Sequence, residues 1–239
     1  MKTKLFPSGL LIIAFATAVA AQTVVITPKM TVYRRPKPQH DFKRTFSIRR
    51  PIVKASTPAL SKKITAAISP DSVLDIRLRD EMTEYQWLEE ADYKTLYNRN
   101  GVLSMELWMT GTAAYPDSVT KYVVVDLRTG KRVAIPDAFT QLDELATVIR
   151  KAQADEVKEA TVEIRKDPDA RPEDLFSETN FTPADLKEFS VNDKGVTFYY
   201  DYGFPHVLEA LQPSGEFTFD WNTLKPFIRR GGLLGRFVR

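Results

Sequence analysis

The sequence contains no cysteine and only two histidines, His40 and His206. Without cysteine the chain can form neither disulfides nor thiolate-based catalytic sites, and it cannot carry a lipid on an N-terminal cysteine. A zinc site would need carboxylates to complete the ligand shell that two histidines begin. A chain of 239 residues can bury a sizeable core without such cross-links. We therefore expect no metal and no cofactor.

A large excess of charge of one sign is also absent. The net charge is +3, and Lys2 and Lys4 contribute two of these positive charges. Proteins that bind nucleic acid mainly through phosphates carry a marked basic excess. The composition therefore gives no reason to expect a nucleic-acid partner.

The chain begins with the features of a secretory signal peptide. Lys2 and Lys4 form a positive region, residues 10–21 are largely apolar and uncharged, and the run ends in small residues. The apolar part is about 12 residues long, whereas a membrane-spanning helix needs roughly 20. We predict a signal peptide over residues 1–21 and a protein exported to the periplasm or the extracellular medium, with no stable transmembrane anchor. An uncleaved N-terminal anchor is the alternative.

Residues 22–43 are rich in proline and basic side chains, and we call them the basic arm. Pro28, Pro36 and Pro38 lack the amide hydrogen that a β-ladder uses, which favours an irregular extended chain. The acidic side chain of Asp41 stands alone among the basic ones. The pattern predicts a solvated arm, and contact with an anionic partner is the alternative.

Residues 44–239 show the pattern of one α+β domain. Asn100-Gly101 separates two alternating runs, which indicates a hairpin, and a further strand over residues 120–127 continues it. Apolar residues at three- and four-residue steps predict a short helix after Thr57-Pro58 and a long one over residues 141–165. We predict an antiparallel meander sheet packed against one long and one or two short helices.

Three segments together resemble a known family. They read NRNGVLSMELW, YVVVDLRTGKRVAIPDAF and LKEFSVNDKGVTFYYDYGFPHVLEALQPSGEFTFDWNTLKPFI. Their order and spacing resemble the extracytoplasmic domain of unknown function at the C-terminus of RsiV-type anti-sigma factors, which also accompanies PdaC-type peptidoglycan deacetylases. The resemblance implies an envelope-associated α+β module without catalytic residues. The sequence lacks the sigma-binding part, the spanning helix and the deacetylase domain of those proteins.

Residues 198–221 carry eight aromatic side chains and His206. Alternation places Phe198 on one face of a strand, and Phe217, Phe219 and Trp221 alternate along a second strand, which predicts that these four rings belong to the core. Tyr199, Asp201 and Asp220 fall on the opposite faces.

The connection between these two strands is the candidate recognition loop. A surface loop stiffened by a glycine and a proline loses little entropy on binding. We predict that it presents Tyr202, Phe204 and His206, with Asp201 beside them, as ligand-binding residues. The alternative is that Phe204 merely closes the end of the sheet.

These observations favour a secreted, non-enzymatic binding or sensory module of the cell envelope. The expected partner is an extracytoplasmic protein or a cell-wall polymer. The alternative functions are a small secreted hydrolase of wall glycan or peptide, which would use His206 with Asp201 or Asp220, and a structural subunit of an envelope assembly. The sequence indicates no catalytic residue directly.

Overall fold

The structure is a computed structural model that describes residues 23–168 and 170–238. The predicted signal peptide, residues 1–21, lies outside the described residues, so cleavage and export stay predictions. In the described part of the chain, no helix has both the length and the apolar character that crossing a bilayer requires.

The larger of two sheets has six strands arranged in chain order. They are β1 (Val25–Arg34), β2 (Thr45–Lys54), β3 (Leu88–Arg99), β4 (Val102–Thr112), β5 (Pro116–Asp126) and β6 (Lys131–Arg132). All neighbours pair antiparallel except β2 and β3, whose short parallel pairing joins Ser47 and Ile48 to Glu90 and Ala91. The meander is therefore interrupted once.

Three short helices cross from β2 to β3, because a parallel pair cannot be joined by a tight turn. They are α1 (Pro58–Ala67), α2 (Pro70–Val73) and α3 (Leu78–Thr83). The α1 start follows the predicted cap: the Thr57 side chain accepts a hydrogen bond from the Leu60 amide at 3.2 Å.

The expectation of an irregular basic arm is wrong for residues 25–34, which form the edge strand β1. Pro28 lies opposite Pro51 in the β1–β2 hairpin. Two residues further along β2, the Val53 amide turns away from β1 and donates to Thr65 Oγ1 at 3.1 Å. The amide positions of both prolines therefore also point away from the β1–β2 ladder, so neither proline removes one of its hydrogen bonds.

Arg35 ties the end of β1 to the body of the domain. Its buried guanidinium donates to the carbonyls of Glu81 at 2.8 Å, Lys43 at 2.9 Å and Leu88 at 2.7 Å. The same group lies 3.4 Å from the Glu81 carboxylate and stands over the Phe46 ring. Since the charge is paired and hydrogen-bonded, its burial is tolerated.

The predicted hairpin at Asn100-Gly101 is confirmed. Both residues have positive φ, 53° and 72°, as a two-residue turn between β3 and β4 requires. Leu103, Met105 and Leu107 share one fully buried face of β4, as the alternation predicts.

The second sheet and the long helix complete the fold, and the predicted α+β class is confirmed. The long helix α5 spans Leu142–Ile164, close to the predicted 141–165. The remaining elements are the helices α4 (Ile135–Ala138), α6 (Pro172–Leu175) and α7 (Trp221–Leu224), and the strands β7 (Phe189–Val191), β8 (Gly195–Tyr199) and β9 (Glu216–Asp220). The strands β7, β8 and β9 form an antiparallel sheet separate from the first.

The core lies on both faces of the larger sheet. One face packs against the crossover helices through Ile64 and Ile68, and the other joins the second sheet and α5. Phe198 and Phe217 are buried there as predicted. Phe219 and Trp221 pack against this core but are only half-buried. Because β9 ends at Asp220, Trp221 lies beyond the strand, and its ring stacks on Phe237 with centroids 4.3 Å apart.

Candidate functional site

The candidate recognition loop connects β8 to β9 and faces the tip of the β4–β5 hairpin. It contains a 3₁₀ turn at His206–Leu211. Between the two loops lies a cleft of about 570 Å³, which we call the loop cleft. Its lining residues are Trp87, Ala113, Ala114, Tyr115, Pro116, Asp117, Ser118, Asp201, Gly203, Phe204, His206, Glu209 and Gln212. The volume is in the range of small-ligand sites.

Two of the four predicted site residues are buried, so the expectation that the loop presents them at its surface is wrong. The Tyr202 hydroxyl donates to the Glu156 carboxylate on α5 at 2.7 Å, and burial together with that carboxylate raises the pKa of Tyr202. Phe204 lies against the Phe176 ring, with centroids 5.3 Å apart. The apolar faces of both rings hold the loop on the helix instead, although Phe204 still lines the loop cleft.

The other two predicted residues, Asp201 and His206, are exposed and converge on the loop cleft. Asp201 Oδ1 accepts a hydrogen bond from the Gly203 amide at 2.9 Å. His206 Nδ1 lies 2.9 Å from Glu209 Oε2, and its ring lies 5.1 Å from that of Tyr115. The ligand-binding roles of Asp201, Tyr202, Phe204 and His206 stay predictions.

Asp220, the other carboxylate that was considered as a partner of His206, instead caps a helix. Its side chain caps α7 by accepting a hydrogen bond from the Thr223 amide at 2.8 Å. That backbone hydrogen bond lowers the pKa of Asp220. It does not line the loop cleft, so the cleft brings Asp201 and Glu209 to His206 and leaves Asp220 outside.

A single carboxylate fixes the loop to the long helix. Besides Tyr202, Glu156 accepts hydrogen bonds from Ser214 Oγ at 2.7 Å and from the Gly215 amide at 3.2 Å. Glu156 therefore holds the chain at both ends of the loop. The wall of the loop cleft is positioned before any ligand arrives.

Sequence reasoning missed the opposite wall of the loop cleft, which contains Trp87, Tyr115 and Asp117. The Trp87 ring lies directly against Gly111 of β4, where any Cβ would overlap it. The Thr112 amide donates to the Trp87 carbonyl at 3.1 Å. A glycine within a strand indicates close approach of another group, and Gly111 was the available signal.

Trp87 also lines a second cleft of about 320 Å³, which we call the side cleft. Its lining residues are Asp75, Ile76, Arg77, Glu81, Tyr85, Trp87, Leu88 and Met109. Gln86, between the two aromatic residues, has a φ of 44°, and its buried side chain donates to the Lys37 carbonyl and accepts from the Gln39 amide, both at 2.8 Å. Such a strained backbone persists only where its surroundings fix it.

The loop cleft is acidic. Among the described residues that line it, Asp117, Asp201 and Glu209 carry carboxylates and none is lysine or arginine. Nowhere in residues 23–168 and 170–238 do three His, Asp or Glu side chains meet in a way that could hold a metal ion. The carboxylates therefore provide separate negative charges along a cleft with aromatic walls.

Two solved structures to which this chain is similar are of proteins of the DUF3298 family, a domain of unknown function. A DUF3298 protein from Bacteroides fragilis matches with a TM-score of 0.54 and 12% identity, over 90% of this chain and 97% of that chain. One from Pseudomonas aeruginosa PAO1 matches with a TM-score of 0.55 and 15% identity, over 87% and 94%. At this identity the likeness shows the fold alone. No family model and no curated protein matches the sequence.

Proposed function

We propose that this chain is an exported, non-enzymatic envelope module that binds an extracytoplasmic protein or a cell-wall polymer in the loop cleft. The observation that carries the proposal is a cleft of ligand-site volume whose two walls are fixed independently. Glu156 fixes one wall through the loop, and the packing of Trp87 on Gly111 fixes the other. A pre-positioned cleft with aromatic and charged walls is typical of binding sites.

The resemblance to the RsiV and PdaC accessory domains supports the envelope part of the proposal. Those domains are extracytoplasmic, and the signal-peptide pattern over residues 1–21 agrees with the same destination. The DUF3298 structures share the fold and leave the ligand open.

Capture of envelope components by the mature chain, residues 22–239, tests the proposal. Tyr115→Ala and His206→Ala each remove an exposed ring from the loop cleft, and Phe42→Ala removes an exposed ring elsewhere as the control. We expect the wild type and Phe42→Ala to capture the same component and both cleft variants to lose it, with unchanged denaturant midpoints. Normal capture by both cleft variants would show that recognition occurs elsewhere.

Hydrolysis of wall glycan or peptide is the second candidate function, and one observation favours it. His206 and Glu209 form a histidine–carboxylate pair in the wall of the loop cleft, beside Asp201. Such pairs serve in general acid–base catalysis. Release of soluble fragments from purified wall by the wild type, abolished in His206→Ala, would establish hydrolysis in place of simple binding.

A further inference from the structure

The two clefts share one residue. Trp87 lines both the loop cleft and the side cleft, so the clefts adjoin there. Each cleft has a second aromatic residue that is well exposed: Tyr115 is 66% exposed in the loop cleft and Tyr85 is 60% exposed in the side cleft. We call Tyr85, Trp87 and Tyr115 the aromatic row.

Exposed aromatic rings beside hydrogen-bonding groups suit a sugar. A pyranose has an apolar face of C–H groups that packs on an aromatic ring, while its hydroxyl groups point outward to polar partners. Ser118 and Gln212 also line the loop cleft, and Gln212 Oε1 accepts a hydrogen bond from the Phe204 amide at 2.8 Å, which leaves the Gln212 side-chain amino group as a donor. Aromatic side chains have few rotatable bonds and lose little conformational entropy on binding, so exposed rings in both adjoining clefts suit an extended ligand.

The carboxylates of Asp117 and Asp201 determine which charge on a sugar the loop cleft favours. Asp117 accepts a hydrogen bond from the Ser118 amide at 2.7 Å and Asp201 from the Gly203 amide at 2.9 Å. Among the ion pairs of the described residues, neither carboxylate has a lysine or arginine partner. A neutral sugar would leave both charges without a cation, whereas an ammonium group can pair with a carboxylate and lie against an aromatic face at once.

We infer that the ligand is a linear oligosaccharide whose sugars carry free amino groups, and that it runs along the aromatic row with its ammonium groups facing Asp117 and Asp201. This inference rests on the proposed function, because it identifies the ligand of the same loop cleft. It goes further by joining the side cleft to the site and by requiring a positively charged glycan.

A pair of sugars that differ only in acetylation provides the test. The β-1,4-linked hexamer of glucosamine and the hexamer of N-acetylglucosamine are titrated into the mature chain, with calorimetry and intrinsic tryptophan fluorescence as readouts. We expect the glucosamine hexamer to bind at least tenfold more tightly. The double variant Asp117→Asn with Asp201→Asn should lose that preference, whereas Glu159→Gln on the exposed face of α5 should retain it.

Oligomer length tests the extent of the site. Tyr85→Ala should weaken binding of the glucosamine hexamer and leave binding of the glucosamine dimer unchanged, because the dimer fits within the loop cleft alone. An equal loss of affinity for the hexamer and the dimer would contradict a binding site that continues from the loop cleft into the side cleft.

Three results would overturn the choice of ligand. They are equal or tighter binding of the N-acetylated hexamer, binding of hexalysine as tight as that of glucosamine, and no binding of either sugar. In each case, if Tyr115→Ala still loses the component captured from the envelope, the proposed function stands without this ligand. If Tyr115→Ala and His206→Ala both capture it normally, the proposed function fails as well.

Discussion

At the scale of single residues, Glu156 connects the long helix to the loop that closes the cleft. Its carboxylate accepts hydrogen bonds from Tyr202, Ser214 and Gly215. Hydrogen bonds to a charged acceptor contribute more than neutral ones, and their loss leaves partly buried donors without a partner. The orientation of the loop therefore depends on one side chain outside it.

We expect Glu156→Ala to lower the free energy of unfolding by about 2 kcal/mol, since it removes charge-assisted hydrogen bonds. Glu159→Ala, an exposed position on the same helix, should change it by less than about 0.5 kcal/mol. Urea denaturation measures both. Equal effects of the two variants would mean that the loop is held mainly by Tyr202 and Phe204 packing.

Gly111 determines where Trp87 lies. A Cβ at this position would overlap the Trp87 carbonyl oxygen and indole, so Gly111→Ala should displace the ring and abolish binding in the loop cleft. Gly231→Ala is the matched control, because no atom lies within 4 Å of its added Cβ. Intrinsic tryptophan fluorescence, to which Trp87 contributes, and the capture assay measure the result. An unchanged emission spectrum together with normal capture would contradict this role.

At the scale of elements, β1 is an edge strand that pairs on one side only within residues 23–168 and 170–238. The Arg35 amide donates to the Arg44 carbonyl, which fixes the alternation at the end of the ladder. The backbone groups of Met30 and Val32 therefore face outward, and Pro28 interrupts that row because it has no amide hydrogen. Natural sheets use such interruptions to prevent edge-to-edge association.

We expect Pro28→Val to restore a continuous edge and to cause concentration-dependent association. Val32 and Met30 already expose apolar side chains on the same strand, at 66% and 44%. Thr27→Val adds the same side chain at a position whose amide faces β2, and it should remain monomeric. Sedimentation velocity distinguishes the two. A monomeric Pro28→Val would show that the charges on this hairpin suffice to protect it.

The elements that rely on local signals were predictable. The Asn100-Gly101 turn, the Thr57 cap and the periodicity of α5 each act within a few residues, and each lies where the sequence placed it. The strand β1 was not predictable, because its one proline, Pro28, is tolerated only where its amide position points away from β2.

The candidate site divides in the same way. Gly203 and Pro205 predict the loop between β8 and β9, so Asp201 and His206 could be identified from the sequence. Trp87 and Asp117 lie far from that loop in the chain, and only the folding of β4 and β5 brings them to it. Burial of Tyr202 also could not be predicted, since its partner Glu156 lies 46 residues away.

At the scale of the whole molecule, phenol groups join the two sheets. Tyr122 of β5 stacks on Tyr199 of β8 with centroids 3.5 Å apart, and the Tyr199 hydroxyl lies 2.7 Å from Ser190 Oγ. Burial raises the pKa of both, that of Tyr199 to about 12. Neither phenolate is compatible with this packing.

Alkaline pH should therefore loosen the joint between the sheets. A raised folded-state pKa stabilises the fold fully below the unfolded value of about 10 and loses that contribution as pH rises toward 12. We expect the free energy of unfolding to fall over that window and Tyr199→Phe to fall less steeply. Tyr85→Phe, at an exposed ring, should follow the wild type. The same pH dependence of the free energy of unfolding for all three proteins would contradict the role given to Tyr199.

The hydrogen bonds of the Arg35 guanidinium also determine the order in which parts of the chain can pack together. The first hairpin forms from neighbouring residues, yet the carbonyls that receive Arg35 belong to Glu81 and Leu88, 46 and 53 positions later. Contacts so distant in sequence form late in folding. A chain that emerges N-terminus first from a ribosome must therefore hold its first hairpin undocked until β3 has followed it. During that delay β1 and β2 are not yet docked on the rest of the sheet. Pro28 then limits association of the unpaired edge of β1 with other chains.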